Sequence, residues 1–257
     1  MNGTRRRSFS RRCRTGEIGL RAPAGGGRIA EEQSVVSLSD GSLYCVYRTV
    51  DGWPACAYSR DGGHTWTSPA YAAYTPGGRR FKHPRAANSV WKCGNGKFLY
   101  WFHNHGGAVV GEKSAAGDGS FPYEDRNPAW IVVGEERDSP EGKVIHWTQP
   151  EILLYDDDPF IRMSYPDLVE DNGGYFVTET QKNIGRIHQV PGPILDGLFG
   201  QFENCSAAEQ GRVVNLPGDA PTPPTVPMPA LPAFHARDNK QPDYRGKDLR
   251  AGFSLDF

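Results

Sequence analysis

The chain has 257 residues and a mass of 28.3 kDa, room for one large domain or two ordinary ones. Lys and Arg number 29 against 30 Asp and Glu, so the net charge is −1 and there is no basic surplus to bind nucleic acid. Gly (31) and Pro (21) fill about a fifth of the chain, beside 6 Trp, 11 Tyr and 12 Phe; this mixture predicts many short strands and excludes a helical bundle or a helix–strand alternation.

Residues 1–28 carry eight arginines and one acid, Glu17, and read as a disordered basic tail. Arg6-Arg7 has the look of an export signal, but Ser10 to Arg28 is polar where such a signal needs an apolar stretch. No run reaches the ~18–20 apolar residues of a membrane span. Five cysteines are an odd number and imply no disulfide framework. With a turn at Asp51-Gly52, Cys56 faces Tyr47 and Cys45 lies one diagonal step away, which suits two core thiols better than a bridge.

An internal repeat organises the middle of the chain. Ser34 to Leu38, a turn at Ser39-Asp40-Gly41, and Ser42 to Thr49 read as strand, turn, strand. The pattern returns in Ser89 to Cys93, Gly94-Asn95-Gly96 and Lys97 to Asn104. A third copy runs through Asp167 to Glu170, Asp171-Asn172-Gly173 and Tyr175 to Thr180. Trp66-Thr67-Ser68-Pro69 matches Trp147-Thr148-Gln149-Pro150 downstream of the first two hairpins. Three repeats of a four-stranded antiparallel unit predict an all-β propeller over about residues 29–200. Seven prolines between Pro217 and Pro232 predict an extended linker over 201–250. The alternation in 251–257 resembles the opening of a concanavalin A-like, laminin-G-type β-sandwich.

Ser59-Arg60-Asp61-Gly62-Gly63-His64-Thr65-Trp66 fits S-x-D-x-G-x-T-W without a gap. It resembles the Asp-box (BNR repeat) of sialidase-like propellers, whose role is structural: Ser59, Asp61, Gly63, Thr65 and Trp66 would close and pack a turn. Residues 29–190 more widely resemble the C-terminal half of bacterial exo-sialidases (neuraminidases), about three of six blades, so the chain reads as a fragment. In that family a glutamate precedes the hairpin and an arginine follows sixteen positions on; Glu32 and Arg48 stand at that spacing. Arg85, in Pro84-Arg85-Ala86-Ala87, corresponds to a further arginine, and Tyr165, in Ser164-Tyr165-Pro166-Asp167-Leu168, to the catalytic tyrosine. Pro166 departs from the usual serine. The family's earlier arginine and its acid/base aspartate belong to blades that this chain does not include.

The resemblance implies a retaining glycosidase acting on terminal sialic acid or a related acidic sugar. Arg48 and Arg85 would clamp the substrate carboxylate bidentately. Tyr165 would be the nucleophile, because a carboxylate nucleophile is repelled by the substrate's own charge, and Glu32 its base. Each also has a structural reading: Glu32 as a solvated acid beside Glu31, Arg48 in an ion pair between blades, Arg85 in a basic loop with Lys82 and His83, Tyr165 as a core aromatic. Glu179 would line the cleft or pair with Lys182.

No cofactor and no metal site is expected. His103 and His105 lack a third ligand at suitable spacing, Asp156-Asp157-Asp158 reads as a solvated loop, and Asp138 to Gly142 as a decayed Asp-box. The alternatives are a non-catalytic carbohydrate-binding propeller and another acidic-glycan hydrolase or lyase on the same scaffold. The expected partner is a sialylated or other acidic glycan, with no nucleic acid and no membrane span. The family is usually secreted or cell-surface. The open faces of a half-propeller predict self-association and negligible turnover for this chain by itself.

Overall fold

The computed structural model describes residues 20–105, 126–156, 161–181 and 183–204. The chain divides into two units, Met1–Gln201 and Phe202–Phe257, and every described strand and helix belongs to the first. The proline-rich linker from 205 onward and the 251–257 segment lie outside the described residues, as do residues 1–19. Part of the basic segment is described, and it lies on the first sheet: Tyr47 Oη donates to the Arg21 carbonyl at 2.6 Å, and Gly27 N–H donates to Asp51 Oδ1 at 2.8 Å.

The described strands form three antiparallel sheets in sequence order, as the repeat predicts. The first runs β1 (Glu31–Ser37), β2 (Leu43–Arg48), β3 (Ala55–Ser59), β4 (Ala70–Tyr71). In the second, β5 (Ser89–Lys92), β6 (Phe98–Phe102) and β7 (Ala129–Arg137) lie side by side, and β7 pairs with both β8 (Val144–Trp147) and β9 (Glu151–Leu154). The third contains β10 (Ser164–Asp171), β11 (Gly174–Gln181) and β12 (Ile184–Gln189). Its described part has three strands where four are expected. The chain then enters α1 (Gly192–Gly200), which begins at Pro191 and buries Leu195 and Leu198, one helical turn apart.

The repeat has a physical basis at Thr67 and Thr148. Thr67 N–H donates to the Tyr58 carbonyl at 2.8 Å, and its hydroxyl accepts from Tyr58 N–H at 3.0 Å. Thr148 does the same to Val133, at 2.8 and 2.9 Å. Each threonine thus substitutes for a strand partner where the third strand's neighbour breaks. Between the third and fourth strands the two sheets differ. In the first, Asp61 Oδ1 accepts from Thr65 N–H at 2.8 Å and from Ser59 Oγ at 2.9 Å, and Asp61 Oδ2 accepts from Thr65 Oγ1 at 2.8 Å. Gly62 and Gly63, at φ 69° and 89°, permit this path, and Gly63 N–H donates to Ser59 Oγ at 2.8 Å. In the second sheet, residues 138–142 close a hairpin instead, and β8 extends it.

The loop after β2 is longer than a two-residue turn, which shifts the expected register by one. Cys56 faces Val46, and Cys45 faces Ala57. The two thiols therefore point to opposite faces of the sheet, and neither forms a disulfide.

Tyr44 and Val46 pack with Phe81, Tyr100, Phe102 and Trp147 into an aromatic core between the first two sheets. Phe81 meets Phe102 edge-on at 5.0 Å and Trp147 at 6.1 Å. Full burial of such side chains contributes about 1.5–3 kcal/mol each, which makes this the main adhesive between the sheets. Polar ties supplement it at the hairpin tips. Lys143 N–H donates to Asp40 Oδ2 at 2.8 Å, Ser39 Oγ donates to Glu136, and Gly94 N–H donates to Glu170 Oε1 at 3.0 Å. No helix among the described residues is long and apolar enough to cross a membrane.

Candidate functional site

Two of the three sheets begin with the same irregularity. Glu31 pairs with Arg48 and Ser34 with Val46, so the first strand spends one more residue than its partner between these pairs. Ser164 pairs with Thr180 and Asp167 with Thr178, again with one residue extra. These are matching β-bulges. In each, the residue after the first pair is left-handed: Glu32 at φ 57° and Tyr165 at φ 50°. Neither residue type favours that region, so the backbone is strained and the flanking ladder holds it there. The bulge re-aims both side chains at one end of the sheets.

Arg48 closes β2 and is buried, at 8% exposure. Its Nη2 and Nε donate to Glu31 Oε2 at 2.6 and 3.2 Å, and its Nη1 stands 3.0 Å from Glu32 Oε2. Arg85 Nη2 approaches the same Glu31 oxygen at 3.6 Å. The sequence-predicted Glu32, Arg48 and Arg85 are thus brought together, with Glu31 between the two guanidiniums. Burial opposes the charge on Arg48, but the Glu31 and Glu32 carboxylates more than offset it and raise its pKa. The hydrogen bond from Arg48 lowers the Glu31 pKa, with Arg85 adding to it.

Tyr165 is 53% exposed, and the core-aromatic reading of it fails on that number. Beneath it is Arg126, which sequence reasoning missed. Arg126 is 9% exposed, its Nη1 donates to Ser164 Oγ at 2.8 Å, and its guanidinium carbon lies 6.0 Å from the Tyr165 ring centroid. Burial lowers its pKa; of its neighbours, Tyr165 and Glu32 favour its charge, while Arg48 and Arg162 oppose it. Those couplings place Arg126 within electrostatic reach of both bulge residues. No local pattern marks Arg126, since it reaches Ser164 only through the fold, 38 residues away.

A layer of imidazoles underlies the arginines. His83 and His103 stack at 5.5 Å. The His83 Nε2–H bond to the Ala86 carbonyl is 2.8 Å, and Nδ1 accepts from His103 N–H at 3.2 Å. Burial, with the Arg126 and Arg48 charges, pushes the His83 pKa down to about 3. It is neutral at ordinary pH and adds no positive charge to the cluster. No group of metal-ligating side chains occurs among the described residues.

Glu179 does not line this site. It is fully buried on the opposite face of β11 from Thr180, and it accepts from Arg186 Nη1 at 2.8 Å, with His188 Nε2 at 3.3 Å. The Lys182 side chain, its expected partner, lies outside the described residues, as do Asp157 and Asp158. The backbone N–H of Asp156 donates to Asn127 Oδ1 at 3.2 Å.

No family model and no curated protein matches the sequence. Solved structures similar to the chain include sialidases and other glycosidases. The intramolecular trans-sialidase from Ruminococcus gnavus is 20% identical, with a TM-score of 0.46 over 67% of this chain and 34% of that one. The leech intramolecular trans-sialidase is 18% identical, with a TM-score of 0.45 over 67% of this chain and 24% of that one. An exo-1,5-alpha-L-arabinanase from a bovine ruminal metagenomic library is 13% identical, with a TM-score of 0.41, covering 65% and 50%. The chain therefore spans between a quarter and a half of the length of these structures.

Proposed function

We propose that the end of the sheets bearing Glu32, Arg48, Arg85, Arg126 and Tyr165 is half of a glycosidase site for a carboxylated sugar, of sialidase type. The observation that carries this reading is the pair of matched bulges. Two otherwise unrelated residue types, an acid and a tyrosine, are held in the same strained conformation and surrounded by guanidiniums. A structural role for Tyr165 would not require a left-handed backbone to keep a ring half in solvent.

Guanidiniums suit a carboxylate because the fork matches its two oxygens and keeps its charge at all working pH values. In the proposed chemistry Tyr165 Oη attacks the anomeric carbon, and Glu32 accepts the phenolic proton. The bond to the leaving oxygen breaks as a general acid protonates that oxygen. Water, deprotonated by the conjugate base of that general acid, then attacks the anomeric carbon and breaks the aryl glycosidic bond to Tyr165, giving the retained product, while Glu32 returns its proton to the phenolate.

The test combines binding and turnover. Calorimetry of the full chain with N-acetylneuraminic acid should show binding that Tyr165→Phe leaves within about threefold, since the lost hydroxyl acts in the transition state. Turnover of a fluorogenic sialoside, where measurable, should vanish in the same variant. Turnover that persists in Tyr165→Phe takes Tyr165 out of the nucleophile's place, and failure to bind any carboxylated sugar removes the proposal.

A further inference from the structure

The guanidinium fork meant for a substrate carboxylate already holds one. Three donors converge on a single oxygen, Glu31 Oε2: Arg48 Nη2 at 2.6 Å, Arg48 Nε at 3.2 Å and Arg85 Nη2 at 3.6 Å. Arg48 Nη1 faces Glu32. The cations lie beneath and the carboxylate at the mouth, since the Arg48 and Arg85 side chains are 9% and 13% exposed and that of Glu31 is 42%. Glu31 differs from Glu32 in its backbone. It pairs with Arg48 in the ladder, ahead of the strained residue, and only rotation of its side chain is needed to vacate the fork.

We infer that Glu31 is a built-in competitor. Its carboxylate occupies the anion position between Arg48 and Arg85 in the free protein and swings out when a ligand carboxylate replaces it. The anion position stands on the geometry alone; assigning an acidic sugar to it rests on the proposed function. The consequence is selectivity. Apparent affinity falls by the fraction of protein whose fork is open, and this penalty is the same for every anion. A small anion has nothing else with which to meet it. A carboxylated sugar adds contacts to Arg126 and Tyr165, so it displaces Glu31 where acetate or chloride does not.

A simpler role for Glu31, as a strut that holds the two arginines in place, predicts the opposite sign. That contrast makes the experiment decisive. Glu31→Gln and Glu31→Ala would be prepared in the full chain, their folding checked by circular dichroism, and each titrated with sodium acetate and with N-acetylneuraminic acid at constant ionic strength. Both variants should bind acetate about 5–10-fold more tightly than the wild type, the gain expected when a mostly closed fork is opened. Arg48→Ala in the Glu31→Gln background should abolish the gain. Should Glu31→Gln fold poorly, Glu31→Asp serves instead, because its shorter side chain reaches both guanidiniums less well while keeping the charge. Unchanged or weaker acetate binding in the folded variants makes Glu31 a strut and overturns the inference. Tighter acetate binding with no response to N-acetylneuraminic acid in any variant upholds the inference and overturns the sialic-acid reading.

Discussion

In the first sheet the bulge at Glu31 to Ser34 sets Glu32 against Arg48, whose guanidinium is almost wholly buried; in the third, the bulge at Ser164 to Asp167 lifts Tyr165 half into solvent above Arg126. The backbone device is the same and the surroundings are opposite. One residue is locked by an ion pair, and the other is left accessible. The second sheet, between them, lacks the device: β5 starts at Ser89 opposite Trp101, with a regular register. Among the described residues the other positive-φ side chains are Asn104 and Asn172, a residue type that tolerates this conformation, so the unfavoured cases are Glu32 and Tyr165, on the two strands that supply the candidate chemistry. A conformation that costs energy and recurs at equivalent positions, in residues that do not favour it, is better explained by the direction it gives a side chain than by the fold.

The comparison is broken most severely at Arg48. Arg48→Ala strips the partner from Glu31 and Glu32 together and opens space beneath the bulge. Affinity for a carboxylated sugar should fall by about 2–4 kcal/mol, a loss of roughly 30- to 1,000-fold by calorimetry. Stability should fall by a smaller amount, about 1–2 kcal/mol in urea melts, because the two carboxylates are partly solvated and recover water. Arg48→Lys should recover stability but little affinity, since an ammonium offers a point charge where a fork is needed. An unchanged affinity in a folded Arg48→Ala protein would take Arg48 out of the site.

Much of this arrangement is legible in the sequence, for identifiable reasons. The hairpins are announced by Asp40-Gly41, Asn95-Gly96 and Asn172-Gly173, whose positive-φ residues close tight turns between apolar runs. The sixteen-residue spacing from Glu32 to Arg48 works because the two residues lie near opposite ends of one hairpin, so local geometry brings them together. Arg126 has no such local signal; its partners Ser164 and Tyr165 come from another sheet. The register at Cys56 slips by one because Thr49 folds the loop on itself, its hydroxyl donating to the Trp53 carbonyl at 2.7 Å. Turn chemistry of that kind competes with the two-residue pattern and is not visible as an alternation. Glu179 misleads for a related reason. Position along a strand predicts its end of the sheet but leaves open which face its neighbours cover, and here the covered face holds Arg186 and His188.

A smaller effect sharpens the comparison at the bulges. At ordinary strand positions, glycine is less stable than alanine, because the unfolded chain gains freedom. At Tyr165 the order should reverse. A left-handed alanine keeps a strain of about 1–2 kcal/mol that glycine relieves, so Tyr165→Gly should match or exceed Tyr165→Ala in stability by roughly 0.5–1 kcal/mol. Val169, on the same strand with regular pairing, provides the control and should show the usual order. Thermal melts of the four variants decide the matter. The same order at both positions would mean that the strand can slide out of its bulge, and that the matched geometry carries no functional information.

The smallest expected effect concerns how the two hairpin tips are tied to the second sheet. Asp40 accepts from Lys143 N–H across the interface, and from Ser42 N–H at 2.9 Å within its own turn; Glu170 plays the corresponding part for the third sheet at Gly94. The Lys143 bond leads the causes that bring the Asp40 pKa down from 3.8 to about 2, with Ser42 and the Arg60 charge adding to it and partial burial opposing. The folded pKa lies below the unfolded one, so the stabilisation is fully present above about pH 4 and is lost as pH falls through 4 toward 2. Asp40→Asn should lower the melting temperature at pH 7 by about 2–4 °C, at the low end because the carboxylate is partly solvated. It should also flatten the fall in melting temperature between pH 4 and pH 2. The fall should not vanish, because Asp61, whose pKa the Thr65 bonds also bring to about 2, titrates in the same window within the first sheet. An unaltered slope in Asp40→Asn would show that the Asp40–Lys143 bridge contributes nothing to holding the first sheet against the second, and that the aromatic core and the Ser39–Glu136 tie hold it.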